Sequence, residues 1–203
     1  MKPAQLLFPL MTAIALSASP ALAQEALWQK SYQLEAAGKY AEAITTLDPV
    51  PVTGPEAELK LLRRGWLFYL PGQFDESIRE YRLALERNSK SMDARLGLTL
   101  PLLGAKRWRE AEQSARSALD LAPNNYLALV RLAVAQEAQR DWPGLHKTAQ
   151  TLTTHYSSDA TAQVYLARAL AWLGKSPEAA EAYRAVLTRQ PGHAEAKAYS
   201  DKK

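Results

Sequence analysis

The stretch GQFDESIREYRLALE, residues 72–86, recurs in outline along this chain of 203 residues. Related stretches are GKYAEAITTL (38–47), REAEQSARSALDLAPNN (109–125) and GKSPEAAEAYRAVLTRQPG (174–192). All four fit one register of 34 residues, which divides the chain from Gln24 onward without insertion or deletion. An unbroken repeat of this length indicates stacked helical units that bury their apolar faces against one another. The five units are residues 24–57, 58–91, 92–125, 126–159 and 160–193.

Equivalent places in the five units carry side chains of similar size. Small residues at the eighth place suit two helices that cross closely, and large rings recur at the seventeenth place. A proline at the thirty-second place ends one helix and suits the first turn of the next. The eighth place holds Ser31, Gly65, Thr99, Ala133 and Ala167, the seventeenth Tyr40, Phe74, Trp108, Trp142 and Ser176, and the thirty-second Pro55, Pro123 and Pro191.

This pattern of small, large and proline places resembles the tetratricopeptide repeat family, over residues 24–193. The resemblance implies an all-α fold, a right-handed α-solenoid of five helix-turn-helix repeats. In each repeat a first helix, A, would line a concave face, and a second helix, B, would form the convex back. The fold serves many partners, so the resemblance is specific for architecture and not for one function.

Three repeats depart from the pattern. Pro49 and Pro51 should interrupt the second helix of the first repeat before its expected end. Pro101 lies within the first helix of the third repeat, where it should bend the helix at a cost of roughly 3 kcal/mol. Leu145 and Leu152 stand at usually small places of the fourth repeat, where we expect the loosest packing.

Residues 1–23 are typical of a secretory signal peptide. Lys2 precedes the apolar run LLFPLMTAIAL (6–16), and the segment ends in Ala21, Leu22 and Ala23, which predicts cleavage after Ala23. The alternative is an uncleaved anchor, but Pro9 shortens the apolar core below the roughly 20 residues that span a bilayer. We therefore expect a periplasmic bacterial protein that contacts the membrane only through this segment before cleavage. Residues 194–203 should form a polar tail that caps the last repeat.

The sequence contains no motif of a catalytic, metal-binding or cofactor-binding site. The chain has no cysteine, which excludes disulfides, cysteine metal sites and a lipid-modified cysteine. Its three histidines, His146, His155 and His193, lack the spacing of metal ligands, and neither a glycine-rich phosphate loop nor a nucleophile elbow is present. We expect no enzyme activity, no catalytic residue, no metal and no cofactor. The net charge of +4 is scattered, and although the basic turn 106–109 could contact phosphate, no nucleic-acid partner is expected.

The resemblance also implies which residues face the concave groove. In the family these are the second, fifth, sixth, ninth, twelfth and thirteenth places of a repeat. Here they give an apolar and aromatic surface with three arginines. A clamp for a C-terminal carboxylate uses lysine and asparagine at the fifth and ninth places, and its residue types are missing here. The predicted groove residues are Trp28, Tyr32, Leu62, Arg63, Trp66, Tyr69, Leu96, Leu100, Leu103, Val130, Arg131, Val134, Val164, Arg168 and Trp172.

Tryptophan, tyrosine and arginine are the side chains that most often anchor protein interfaces. The sequence therefore predicts an exported adaptor or scaffold that binds an envelope protein or peptide segment in this groove. One alternative is glycan binding or polysaccharide secretion, with Trp66, Tyr69 and Trp172 stacked on sugar rings. Another is self-assembly through the open ends of the array. Trp28 has its own alternative, since it could cover the exposed end of the first repeat.

Overall fold

The computed structural model describes residues 20–54 and 56–201. These ranges form eleven α-helices and no strand, so the predicted all-α class is confirmed. Most of the predicted signal peptide, residues 1–19, lies outside the described residues; within the described ranges no helix is long and apolar enough to span a bilayer. The helices are α1 Pro20–Ala36, α2 Tyr40–Thr45, α3 Glu56–Tyr69, α4 Phe74–Arg87, α5 Met92–Gly104, α6 Trp108–Leu121, α7 Tyr126–Gln139, α8 Trp142–His155, α9 Ala160–Trp172, α10 Ser176–Arg189 and α11 Ala194–Ser200.

The helix starts repeat at 34 residues. Helices α5, α7, α9 and α11 begin at equivalent places, and so do α4, α6, α8 and α10. Each residue before α5, α7, α9 and α11 caps its helix, because its side chain accepts a hydrogen bond from a backbone N–H of the first turn. These caps are Ser91, Asn125, Asp159 and His193.

The turn from each first helix to its second helix has one geometry throughout. Its central residue has a positive φ of 58–86°, and the next residue donates its N–H to a carbonyl five residues earlier, as Lys175 does to Leu170 at 2.9 Å. Glycine adopts this conformation freely, whereas a residue with a side chain loses about 1–2 kcal/mol. The five central residues are Gly38, Gly72, Lys106, Arg140 and Gly174.

Successive first helices lie closer together than successive second helices in the middle of the array. Helix α3 contacts α5 and α5 contacts α7, whereas no such packing joins α4 to α6 or α6 to α8 in the described part of the chain. The array therefore curves with its first helices, α3, α5 and α7, on the inner side.

The second helix of the first repeat is short, as Pro49 and Pro51 predict. Helix α2 ends at Thr45, and the chain continues through turns in which Leu47 and Val50 are buried. Lys60 on α3 provides hydrogen-bond donors for this loop. Its Nζ donates to the carbonyls of Asp48 at 3.1 Å and Val50 at 2.7 Å. Burial, with the nearby Arg64 charge, lowers the pKa of this lysine.

The prediction of loose packing in the fourth repeat is wrong. Leu145 and Leu152 are fully buried in one cluster with Ala133, Ala149 and Ala162. Large side chains on α8 thus pack with alanines on α7 and α9. The leucines fill the space that these small side chains leave between the helices. Helix α5 also continues through Pro101, which is itself buried.

Candidate binding groove

Each first helix packs one face on the second helices and leaves the opposite face open. On α7 the open face contains Leu127, Arg131 and Val134, which are spaced one turn apart. On α3 it contains Leu59, Leu62, Trp66 and Tyr69 in the same way. These faces lie on the inner side of the array and together form what we call the groove.

Two groove residues are missing from the sequence prediction. Leu59 and Leu127 are each 48% exposed, the most exposed leucines of α3 and α7. Both stand at the second place of their repeats, which the family rule already assigns to the groove. Because they continue the apolar residues of the same helix faces, they enlarge the apolar surface of the groove.

Several predicted groove residues come together at the N-terminal end. The Arg63 guanidinium lies 3.8 Å from the centre of the Tyr32 ring, and the rings of Trp66 and Tyr69 are 5.6 Å apart. Glu35 holds this group in place, because its Oε1 accepts a hydrogen bond from Trp66 Nε1 at 2.8 Å and its Oε2 pairs with Arg63. Tyr32, Trp66 and Tyr69 remain partly or fully exposed.

Trp28 is oriented by its own repeat and the next one. Its Nε1 donates to Glu56 Oε2 at 3.2 Å, and its ring packs against the apolar cluster of the first repeat, around Leu34 and Leu47. These contacts fix the Trp28 ring against the first repeat and the start of α3.

Two predicted groove residues are buried. Arg63 is 6% exposed and Val164 is 8% exposed, and Val164 belongs to the core cluster around Ala179 and Val186. Their burial argues against direct contact with a partner, since Arg63 is enclosed by its contacts with Ser31 and Glu35, and Val164 packs in the core. The half-buried apolar residues of the prediction form the groove floor: Leu62, Leu96, Leu100, Leu103, Val130 and Val134.

Arg168 is the centre of a polar network between α7, α9 and α11. Its Nε and Nη2 donate to the Glu195 carboxylate at 2.6–3.1 Å, and its Nη1 donates to Glu137 at 3.1 Å. The Tyr183 hydroxyl donates to Glu195 at 2.7 Å. The hydrogen bonds from Arg168 hold the pKa of Glu195 below its ordinary value, and burial raises the pKa of Tyr183.

Arg131 has different surroundings. Its Nη1 donates to the Leu96 carbonyl and to the Thr99 hydroxyl, and no carboxylate of the described chain forms an ion pair with it. Burial lowers the pKa of Arg131. Burial also raises the pKa of the neighbouring Tyr81 to about 12, although the Arg131 charge acts in the opposite direction.

Tyr81 reaches this site from the second helix α4 because two glycines have no side chain that would overlap its ring. A Cβ atom at Gly65 would lie 2.9 Å from the Tyr81 ring, and one at Gly97 would overlap the ring. The ring is thus enclosed between α3 and α5, which explains the small residue at the eighth place of the second repeat.

Trp172 is the most exposed aromatic side chain described, at 66%. Its indole stacks on that of Trp142 with ring centres 5.0 Å apart and planes inclined by 2°. The pair forms a flat platform at the end of α9.

The remaining sequence candidates are occupied or scattered. Within the described ranges no cluster of three or more histidine or acidic side chains could hold a metal ion. In the basic turn 106–109, Arg107 is paired with Glu110 at 2.7 Å and with Asp75 at 3.7 Å, so its charge is already compensated.

Comparison with known proteins agrees with this geometry. Residues 146–196 match the model of the family described as Tetratricopeptide repeat. Over these residues the chain is similar to the tetratricopeptide repeat family, and its described helices form a helical-repeat fold throughout. No protein of curated function matches the sequence of this chain.

Solved structures resemble this chain in fold at low sequence identity. MamA from Desulfovibrio magneticus RS-1 is 14% identical with a TM-score of 0.75, over 85% of this chain and 97% of that one. A tetratricopeptide repeat protein from Parabacteroides merdae is 15% identical with a TM-score of 0.76, over 88% and 71%. YrrB, described as a protein of this class with an unusual peptide-binding site, is 15% identical with a TM-score of 0.73, over 86% and 90%.

Proposed function

We propose that this chain is an adaptor or scaffold that binds a segment of another protein in its groove. The observation that carries the proposal is the row of exposed or half-exposed apolar and aromatic side chains along the inner helices, with Leu59 and Leu127 at its outer edge. A contiguous exposed row of this kind marks a surface that binds another molecule. The fold shared with YrrB, whose printed description includes a peptide-binding site, supports a peptide or protein segment as the ligand.

We also propose that the protein acts outside the cytoplasm, in the bacterial periplasm, and that its partner is an envelope protein. The support is the signal-like segment 1–23. Mass spectrometry of the protein isolated from envelope fractions tests this: a chain that begins at Gln24 is expected, and an intact chain in the cytoplasm would contradict export.

The partner-binding proposal is tested by photo-cross-linking in cells. A photo-reactive residue replaces Leu127 on the groove, and a matched variant carries it at Leu121, which is 42% exposed at the end of the second helix α6. A discrete protein adduct from position 127 that is missing from position 121 is expected. The same adducts from both positions, or none from position 127, would contradict groove binding.

A second candidate function, glycan binding in polysaccharide secretion, is favoured by one observation. The exposed Trp172 indole, supported by Trp142, offers a flat face of the kind that stacks on a sugar ring. Binding of purified envelope polysaccharide that is lost with Trp172→Ala and kept with Tyr32→Ala would support it. Saturable peptide binding without any polysaccharide binding would remove it.

A further inference from the structure

Arg131 is held in the middle of the groove by one of its nitrogens. Nη1 donates to the Leu96 carbonyl and, at 3.1 Å, to the Thr99 hydroxyl, both on α5. Leu127 lies one turn before Arg131 on α7 and Val134 one turn after it. The guanidinium is therefore fixed in position, with apolar side chains on both sides along the helix.

The other edge of this guanidinium is open. Nε and Nη2 of Arg131 make no hydrogen bond with any residue in the described ranges, and neither is fully buried. No carboxylate among the described residues is close enough to Arg131 to form an ion pair. These two nitrogens project two parallel N–H groups, which is the arrangement that binds a carboxylate through two hydrogen bonds.

In another groove arginine of this chain, the edge formed by Nε and Nη2 is occupied by a carboxylate. Arg168 directs Nε and Nη2 at the Glu195 carboxylate, with the shortest distance 2.6 Å, while its Nη1 binds Glu137. Arg63 likewise has a carboxylate, that of Glu35. Of the three arginines predicted for the groove, Arg131 alone lacks an acidic partner within the described residues.

The surroundings of Arg131 strengthen its attraction for an anion, compared with an arginine fully exposed to water. The site is half-buried, and the titratable side chains that act on the charge of Arg131 are two tyrosines, Tyr81 and Tyr69. A positive charge in such a place interacts strongly with an incoming negative charge, because the local dielectric response is weaker than that of bulk water. The Tyr81 hydroxyl forms no hydrogen bond with a described residue, so it is also free to donate.

We propose that the segment bound in the groove presents an aspartate or glutamate side chain to Nε and Nη2 of Arg131, flanked by apolar side chains that contact Leu127 and Val134. This inference rests on the proposed groove function and specifies the chemistry of the partner. It differs from a lysine and asparagine clamp for a chain terminus, since it uses one arginine in the centre of the array.

The test is a selection of random peptides displayed on phage against the purified full chain. The wild-type protein should enrich peptides with an acidic residue at one fixed place between apolar residues. The variant Arg131→Gln should lose that preference. The matched control is Arg79→Gln, which removes an exposed, unpaired arginine of α4 and should keep it. Helix content and thermal stability of each variant are measured first, and Arg131→Lys, which keeps the charge but not the two parallel donors, provides a variant of intermediate affinity.

Synthetic peptides from the selection then separate the outcomes. Exchange of the acidic residue for its amide should weaken binding to the wild type by about tenfold to a hundredfold and leave binding to Arg131→Gln unchanged. Peptides that bind without an acidic preference would overturn this inference while the groove function stands. Loss of binding on amidation of the C-terminus in place of the side chain would overturn the side-chain assignment. A selection that enriches no peptide would overturn the groove function and the inference with it.

Discussion

Arg131 donates from Nη1 to the hydroxyl of Thr99, which lies 32 residues earlier in the chain, at 3.1 Å. Arg63 makes the equivalent contact with Ser31, also 32 residues earlier, from Nε to Oγ at 3.3 Å. The two pairs occupy the same places of the register, two repeats apart. Each joins the first helix of one repeat to the first helix of the next.

This relationship predicts the cost of removing the hydroxyl. Thr99→Val keeps the shape of a fully buried side chain but leaves Arg131 with one acceptor fewer, so the free energy of unfolding should fall by about 1–2 kcal/mol. Thr154→Val, at an exposed threonine of α8, is the matched control and should change it by less than about 0.5 kcal/mol. Urea denaturation followed by circular dichroism measures both, and equal effects would contradict a role for the contact.

The turn geometry predicts that two basic residues are strained. Lys106→Gly and Arg140→Gly should relieve about 1–2 kcal/mol of left-handed strain, partly offset by about 0.4–1 kcal/mol of added freedom in the unfolded chain. A net stabilisation of roughly 0.5–1 kcal/mol for each is expected in thermal or urea unfolding. Gly72→Ala, at the same place of the second repeat, should destabilise the protein although a Cβ there touches nothing. Lower stability of both glycine variants would show that the side chains make compensating contacts.

The enclosed ring of Tyr81 predicts that Gly97 cannot be enlarged. Gly97→Ala would force the ring out of its place between α3 and α5 and should cost about 1–3 kcal/mol. A second substitution, Tyr81→Leu, should recover part of the loss in the double variant because it removes the overlapping ring atoms. Gly192→Ala, where an added Cβ meets open space, serves as the control. If Tyr81→Leu makes Gly97→Ala no better, the explanation by overlap is wrong.

The network around Arg168 predicts how stability depends on pH. Because the folded-state pKa of Glu195 lies below its ordinary value of 4.5, the unfolded chain binds the proton more readily than the folded chain. The stabilisation is therefore complete above about pH 4.5 and is lost as the pH falls through the lower folded value. Glu195→Gln should lower stability at neutral pH and flatten this part of the profile.

The matched control for the acid prediction is Glu181→Gln, which changes an exposed glutamate of α10 without a salt bridge. Its unfolding profile between neutral and acidic pH should follow that of the wild type. An unchanged slope in Glu195→Gln would mean that other carboxylates account for the acid sensitivity.

Much of the fold could be predicted because it depends on local spacing. The 34-residue register, the rings at the start of four of the five second helices and the prolines that follow α2 are all visible within short stretches. The conformation of Lys106 and Arg140 could also have been inferred, since both stand where Gly38, Gly72 and Gly174 stand in the other repeats. The expectation for Leu145 failed because single places were judged by size, whereas the space depends on the alanines that face them.

The state of the groove was harder to predict, because it depends on pairs about 30 residues apart. The three arginines look alike in the sequence. Arg63 forms an ion pair with Glu35, Arg168 forms ion pairs with two glutamates, and Arg131 forms none with a described residue. A search for acidic residues about one repeat away from each arginine would have distinguished Arg131 from the other two. No composition or hydropathy pattern carries that information.

The short helix α2 gives the array a direction. A repeat is held only by its neighbours, and the first repeat contributes fewer helical residues and a loop held by Lys60, whereas the other end is closed by α11 and the Glu195 network. Amide hydrogens of residues 20–54 should accordingly exchange with solvent first, and protection should increase toward the C-terminal repeats. Through the short helix α2, Pro49 and Pro51 should thus make the N-terminal repeat the place where unfolding begins.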